Sequence, residues 1–152
     1  MQQLMVGEHQ LGTATLVSRT SLTAPTTDTL KAALYLASAT VNASTTAYSA
    51  SNEVSGTGYV AGGVTVTNAT APNSTNASAT AGVAYWTPSA SITYTTVTLA
   101  TAFDAVLLYN STQSNKAISV HTFGSQTITA GTFTLTMPSN TTTTALIRLA
   151  TT

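Results

Sequence analysis

Threonine fills 35 of the 152 positions, and only eight residues, four basic and four acidic, carry a formal charge. A branched β-carbon fits a pleated strand, and the threonine hydroxyl can face water from it. A chain rich in Thr and poor in Lys and Glu is therefore driven toward sheet and away from solvated helix. The fold class expected is all-β, an antiparallel β-sandwich or barrel-like single domain with long loops. Residues 1–20 are expected to form an N-terminal arm and 21–152 one β domain, a length that buries roughly two thirds of the unfolded surface.

The same charge economy excludes whole classes of function. An ordinary soluble domain is about 25% charged, whereas this chain is 5% charged and 43% hydrophobic. That composition is not that of a disordered acidic or basic tail. Four scattered cations at net charge zero cannot displace counterions from phosphates, so no nucleic-acid partner is expected. Without cysteine there is no disulfide framework, thiolate metal site or cysteine nucleophile. Apolar runs such as Ala105-Val106-Leu107-Leu108-Tyr109 fall far short of the ~20 residues that cross a bilayer, so no membrane partner is expected. Met1–His9 lacks a basic segment followed by a continuous apolar stretch and does not read as a secretory signal.

Period-two patterning marks the strands. In Thr132–Met137, Phe133, Leu135 and Met137 share one face and three threonines the other. Ser125–Thr129 leads through Ala130-Gly131 into this run, which predicts a tight hairpin with Gly131 at any positive-φ position. Pro138 closes the segment, because proline donates no ladder hydrogen bond. A second hairpin joins Ala102–Asn110 to Asn115–Phe123 through Ser111–Ser114. Its first arm is apolar on both faces, as in a central strand. Ser91–Leu99 changes face midway, with Ile92 and Tyr94 on one parity and Val97 and Leu99 on the other, which implies a bulge near Thr95-Thr96. Gly63–Thr67 and Ala145–Leu149 read as further strands. Leu30–Ala37 reads as strand, with a short helix capped by Asp28 as the competing assignment. Thr45–Gly63 reads as a surface excursion and Asn68–Thr80 as an uncharged low-complexity segment. The core is expected to hold Leu34, Leu36, Val64, Val66, Val106, Leu108, Ile118, Val120, Phe133, Leu135 and Ile147.

Acid–base catalysis needs ionisable groups that converge. The inventory is His9, His121, Glu8, Glu53, Asp28 and Asp104. Asp104 lies inside an apolar strand, where an edge position or an ion pair with Lys31, Lys116 or Arg148 explains it better than a catalytic role. His121 beside threonines reads as a surface residue, and Glu8-His9, as neighbours on a strand, point apart. No catalytic residue, metal site or cofactor is expected, and the chain is not expected to be an enzyme. The glycines of Gly56-Thr57-Gly58-Tyr59 lack a Walker lysine and read as turn glycines. The six Asn-x-Ser/Thr triplets, at Asn42, Asn68, Asn73, Asn76, Asn110 and Asn140, are what chance gives a chain this rich in Thr and Ser. Trp86 reads as core filling. Tyr48 and Tyr59 are different, because a glycine-rich loop does not require aromatics in order to fold. With Glu53 they make the segment Tyr48–Gly63 a candidate contact surface, and Leu4, Met5 and Val6 of the arm are a second.

Several runs together resemble a family of small structural proteins of tailed bacteriophages. They are Thr27–Tyr35, Ala43–Tyr48, Asn52–Tyr59 and Ala61–Val64, then Ala105–Asn110, Asn115–Val120 and Phe123–Ser125. Together they cover about residues 27–66 and 102–137, and the run from Glu53 to Gly63 is their most specific part. The resemblance implies a virion protein with no catalytic motif. Its expected role is capsid decoration or cement, binding the major capsid protein or other virion proteins at the capsid surface as a homo-oligomer. A tail, neck or fibre component is the alternative it leaves open.

Overall fold

The computed structural model describes residues 28–67, 72–75 and 82–150. Among them there is no helix, and every strand pairing is antiparallel. The strands are β1 (Leu30–Leu36), β2 (Val64–Thr65), β3 (Asn73–Ser74), β4 (Val83–Trp86), β5 (Ile92–Asn110), β6 (Lys116–Leu135) and β7 (Ile147–Ala150). They fall into two compact units, each with its own sheet.

The larger unit spans 28–67 and 90–136 and holds the sheet β2-β1-β5-β6. As its sequence predicts, the apolar arm of β5 is central, paired with β1 on one side and β6 on the other. Phe103 and the run Ala105–Tyr109 are buried there, against Ala32–Tyr35 of β1. The parity switch before Leu99 is a bulge. Thr96 has φ 54°, the register shifts between Tyr94 and Val97, and Ile92, Tyr94, Val97 and Leu99 are all buried. Asp28 caps no helix. Its carboxylate accepts from Asn110 Nδ2 at 2.6 Å and Gln113 Nε2 at 3.2 Å, tying the chain before β1 to the β5–β6 turn.

Several expectations need correction. Residues 125–137 do not form a hairpin. Residues 125–135 instead continue β6, 20 residues long, whose second half pairs with Ile92–Leu99. The irregularity that imitates a turn is a bulge between the Gly131–Val97 and Ile128–Leu99 pairs, and Ala130 (φ 44°), not Gly131, takes the left-handed conformation. Ile118, expected in the core, is 39% exposed, because a register shift beside it turns the strand. Leu36, Val64, Val120, Phe133, Leu135 and Ile147 are half-buried, since they lie near sheet edges or strand ends. Leu34, Val66, Val106 and Leu108 are buried as expected.

The smaller unit, 72–75, 82–89 and 137–150 among the described residues, carries the sheet β3-β4-β7. Trp86 is buried opposite Ile147, in keeping with core filling. Thr87 is buried too, and its hydroxyl accepts the Leu146 N–H at 2.9 Å. The run Thr141–Thr144 is a turn, because the Thr141 hydroxyl accepts from the N–H groups of Thr143 and Thr144 in place of a ladder. The low-complexity segment Asn68–Thr80 falls largely outside the described residues, apart from the short β3.

Gly63 fixes where the segment before β2 can lie. Its φ is +71°, and a Cβ there would come 1.7 Å from the Ala32 carbonyl oxygen. A Cβ at Gly124 would meet nothing within 4 Å. Gly63→Ala is therefore expected to cost about 2 kcal/mol or more in urea-denaturation stability, and Gly124→Ala much less.

Candidate functional site

The segment from Thr45 to Gly63 is built onto the sheet rather than extended away from it. Thr46 and Tyr48 continue the ladder on the outer edge of β6, with Ala117 N–H donating to Thr46 O and Tyr48 N–H to Asn115 O. The chain then reaches β1, where Leu36 N–H donates to Asn52 O and Val54 N–H to Leu34 O. Further on, Thr98 N–H donates to Thr57 O beside β5. Gly56 permits this approach, because a Cβ on it would stand 2.0 Å from Thr98 O.

Glu53 gathers the segment. One carboxylate oxygen accepts from the Tyr48 hydroxyl at 2.7 Å, and the other from the Tyr59 hydroxyl at 2.7 Å and the Gly62 N–H at 2.8 Å. The Tyr59 hydroxyl also accepts the Leu34 N–H at 3.0 Å, so it links the carboxylate to the backbone of β1. Tyr48 stacks on Tyr109 with ring centroids 4.7 Å apart, and Tyr59 on Tyr94 at 5.9 Å. The two buried rings close the arrangement through their hydroxyls, Tyr109 to Gly62 O and Tyr94 to Ala32 O, both at 2.8 Å. Tyr35 donates to Ser49 O beneath the same segment.

Burial raises the phenol pKa of Tyr35, Tyr48, Tyr59, Tyr94 and Tyr109 above the ordinary value. The Glu53 charge adds to the rise at each, and does so through direct hydrogen bonds at Tyr48 and Tyr59. These are neutral donors held around a carboxylate whose two oxygens are engaged. The arrangement fastens a loop.

The structure thus brings Tyr48, Glu53 and Tyr59 together, as one internal cluster with hydroxyls and carboxylate directed at one another. The large apolar side chain this segment offers to solvent is Val60, 70% exposed. Leu4, Met5 and Val6 lie outside the described residues, as do Glu8 and His9. Asp104 is half-buried on β5. His121 lies within 2.9 Å of Ser119 Oγ, and burial lowers its pKa. Among the described residues no group of three or more His, Cys, Asp or Glu is placed to hold a metal ion. The partners that sequence reasoning missed are Tyr94, Tyr109 and the Gly62 N–H. The available signal was a lone acid between two tyrosines in a chain with so few charges.

Comparison with protein-family models, with curated proteins and with solved structures gives no match to this chain.

Two outcomes are expected. Tyr59→Phe leaves the Leu34 N–H and one Glu53 oxygen short of a partner and should cost about 1–3 kcal/mol in urea denaturation, with Glu53→Ala costing at least as much. Alkaline pH should unfold the protein cooperatively. A folded-state phenol pKa above the unfolded 10.0 means that stability is complete below pH ~10 and falls as pH rises, because only the unfolded chain then releases those protons. Phenolate absorbance at 295 nm should accordingly appear mainly together with loss of the sheet signal in circular dichroism.

Proposed function

We propose that the chain is a structural protein of a tailed-phage virion, decorating the capsid and binding the major capsid protein as a cement protein. The observation that supports this reading most is that the run carrying the resemblance, Glu53 to Gly63, is a connected physical device in this chain. Glu53 supplies the acceptors, Tyr59 the bridge to β1, and Gly56 and Gly63 the close backbone approaches. Residues tied by such mutual requirements make a more specific likeness than shared composition.

The surface chemistry is compatible with lattice binding. Threonine and serine hydroxyls and single apolar side chains such as Val60 lose less on desolvation than ion pairs do, so they suit a contact made on a shell of fixed geometry. Because Tyr59 works inside the cluster, a test of this contact belongs at Val60.

Copy number distinguishes the roles. Quantitative gel densitometry of purified particles should find hundreds of copies per virion, retained through a moderate NaCl wash. Val60→Lys should fold normally but reduce occupancy. A count of three, six or twelve would move the protein to the tail or neck, and absence from particles would refute the virion role altogether.

A further inference from the structure

One-electron oxidation falls on sulfur and on phenol or indole rings, and a chain without cysteine leaves the aromatic rings to carry most of it. Losing an electron turns a phenol into a strong acid. The tyrosine that oxidises most readily is therefore one whose hydroxyl already donates to a base within hydrogen-bond reach. The larger unit gathers five tyrosines, and their acceptors differ in kind. Tyr35, Tyr94 and Tyr109 donate to backbone carbonyls, at Ser49, Ala32 and Gly62. An amide oxygen is too weak a base to take a proton near neutral pH. Tyr48 and Tyr59 donate to the Glu53 carboxylate, which can take one. The described residues of the smaller unit contain no Asp or Glu to serve Tyr85 in this way.

We infer that Tyr48 and Glu53 form a redox couple, in which Tyr48 gives up an electron and its proton passes to Glu53 Oε2. In that step an outer-sphere one-electron oxidant takes the electron, the Tyr48 O–H bond breaks, and an O–H bond forms on Oε2, 2.7 Å away. The products are a neutral phenoxyl radical, a neutral carboxylic acid and the reduced oxidant. The separation is that of a charge-assisted bond from a hydroxyl to a carboxylate, so the proton moves without rearrangement of the chain.

The two oxygens of Glu53 are not equivalent. Oε1 already accepts from the Tyr59 hydroxyl and the Gly62 N–H, whereas among the described residues Tyr48 is the one donor to Oε2. The Tyr59 oxygen also accepts the Leu34 N–H, which draws electron density from that ring and makes it harder to oxidise. A proton on Oε2 leaves Oε1 as a carbonyl oxygen that still accepts from Tyr59 and Gly62. The loop therefore stays fastened in the oxidised state, and returning the electron returns the proton. Tyr48 is half-buried, and its ring lies on buried Tyr109 with centroids 4.7 Å apart and planes 14° from parallel. An electron vacancy arising on Tyr109 thus has a direct path to Tyr48. Burial and the Glu53 hydrogen bond hold the Tyr48 phenol above its ordinary pKa. It is therefore neutral at working pH and needs a proton acceptor at the moment the electron leaves.

The couple does not depend on the virion role, and the purified full-length chain tests it. Flash photolysis of a ruthenium(II) polypyridyl complex with an irreversible electron acceptor generates a ruthenium(III) oxidant, and the phenoxyl absorption reports the product. In the wild type the rate of phenoxyl formation should not change with the concentration of buffer base, because the acceptor is internal, and it should fall in heavy water. Glu53→Gln keeps an oxygen acceptor but removes the base. Its phenoxyl should form about a hundredfold more slowly, at a rate that rises with buffer base. Tyr48→Phe should lose the buffer-independent phase, and Tyr85→Phe should retain it. A wild-type rate that rises with buffer base would make solvent the acceptor and overturn the couple without recourse to any variant. An unchanged rate in Glu53→Gln would overturn it too. So would an undiminished buffer-independent phase in Tyr48→Phe, or its loss in Tyr85→Phe, since either places the radical on another ring.

Discussion

Removing a carboxylate from water is costly unless hydrogen bonds replace those it gives up. Glu53 is half-buried and receives three, from two phenols and one backbone N–H. Each donor comes from the segment that Glu53 itself belongs to, and two of them sit on rings stacked against buried tyrosines of β5. The acid thereby fixes the path of residues 48–62 over the sheet. The glycines follow from that path, because a chain held so close to Ala32 and Thr98 leaves no volume for a Cβ at Gly63 or Gly56.

The rest of the larger unit gets its polarity from hydroxyls. β5 and β6 are long, and their mutual register shifts repeatedly, which twists the pair and changes which side chains face the core. Threonines cover the outward positions, as at Thr93 and Thr134, whose hydroxyl oxygens lie 3.5 Å apart across the strands. A surface of this kind is wetted without being charged. Such a surface carries little of the desolvation penalty that ion pairs would bring to a contact.

Legibility in the sequence followed the range of the interaction. Strand character along β1 and β5, the central place of the Ala105–Tyr109 arm, and the face switch at Thr95-Thr96 were all readable, because side-chain alternation is local. The continuation of β6 through 125–131 was not. A bulge with a left-handed residue beside a glycine has the composition of a hairpin turn, and only the partner strand at Val97–Leu99 distinguishes the two. Ile118 failed for a related reason, since period two holds only where the register does. At the candidate site the sequence marks Tyr48, Glu53 and Tyr59 as a contact surface, whereas in the structure their hydroxyls and carboxylate are directed at one another. Their connections to Leu34, Tyr94 and Tyr109 cross long stretches of chain, and no local pattern encodes them.

If the Glu53 carboxylate locks a glycine-rich loop as firmly as a strand, the lock is measurable at the Gly62 N–H, which has Glu53 as its acceptor. Native-state amide hydrogen exchange reads it directly. Gly62 should exchange as slowly as the amides of β1, and in Glu53→Gln its protection should fall while that of Ala33 and Leu107 changes much less. A Gly62 amide that exchanges at the rate of a free loop in the wild type would contradict the lock.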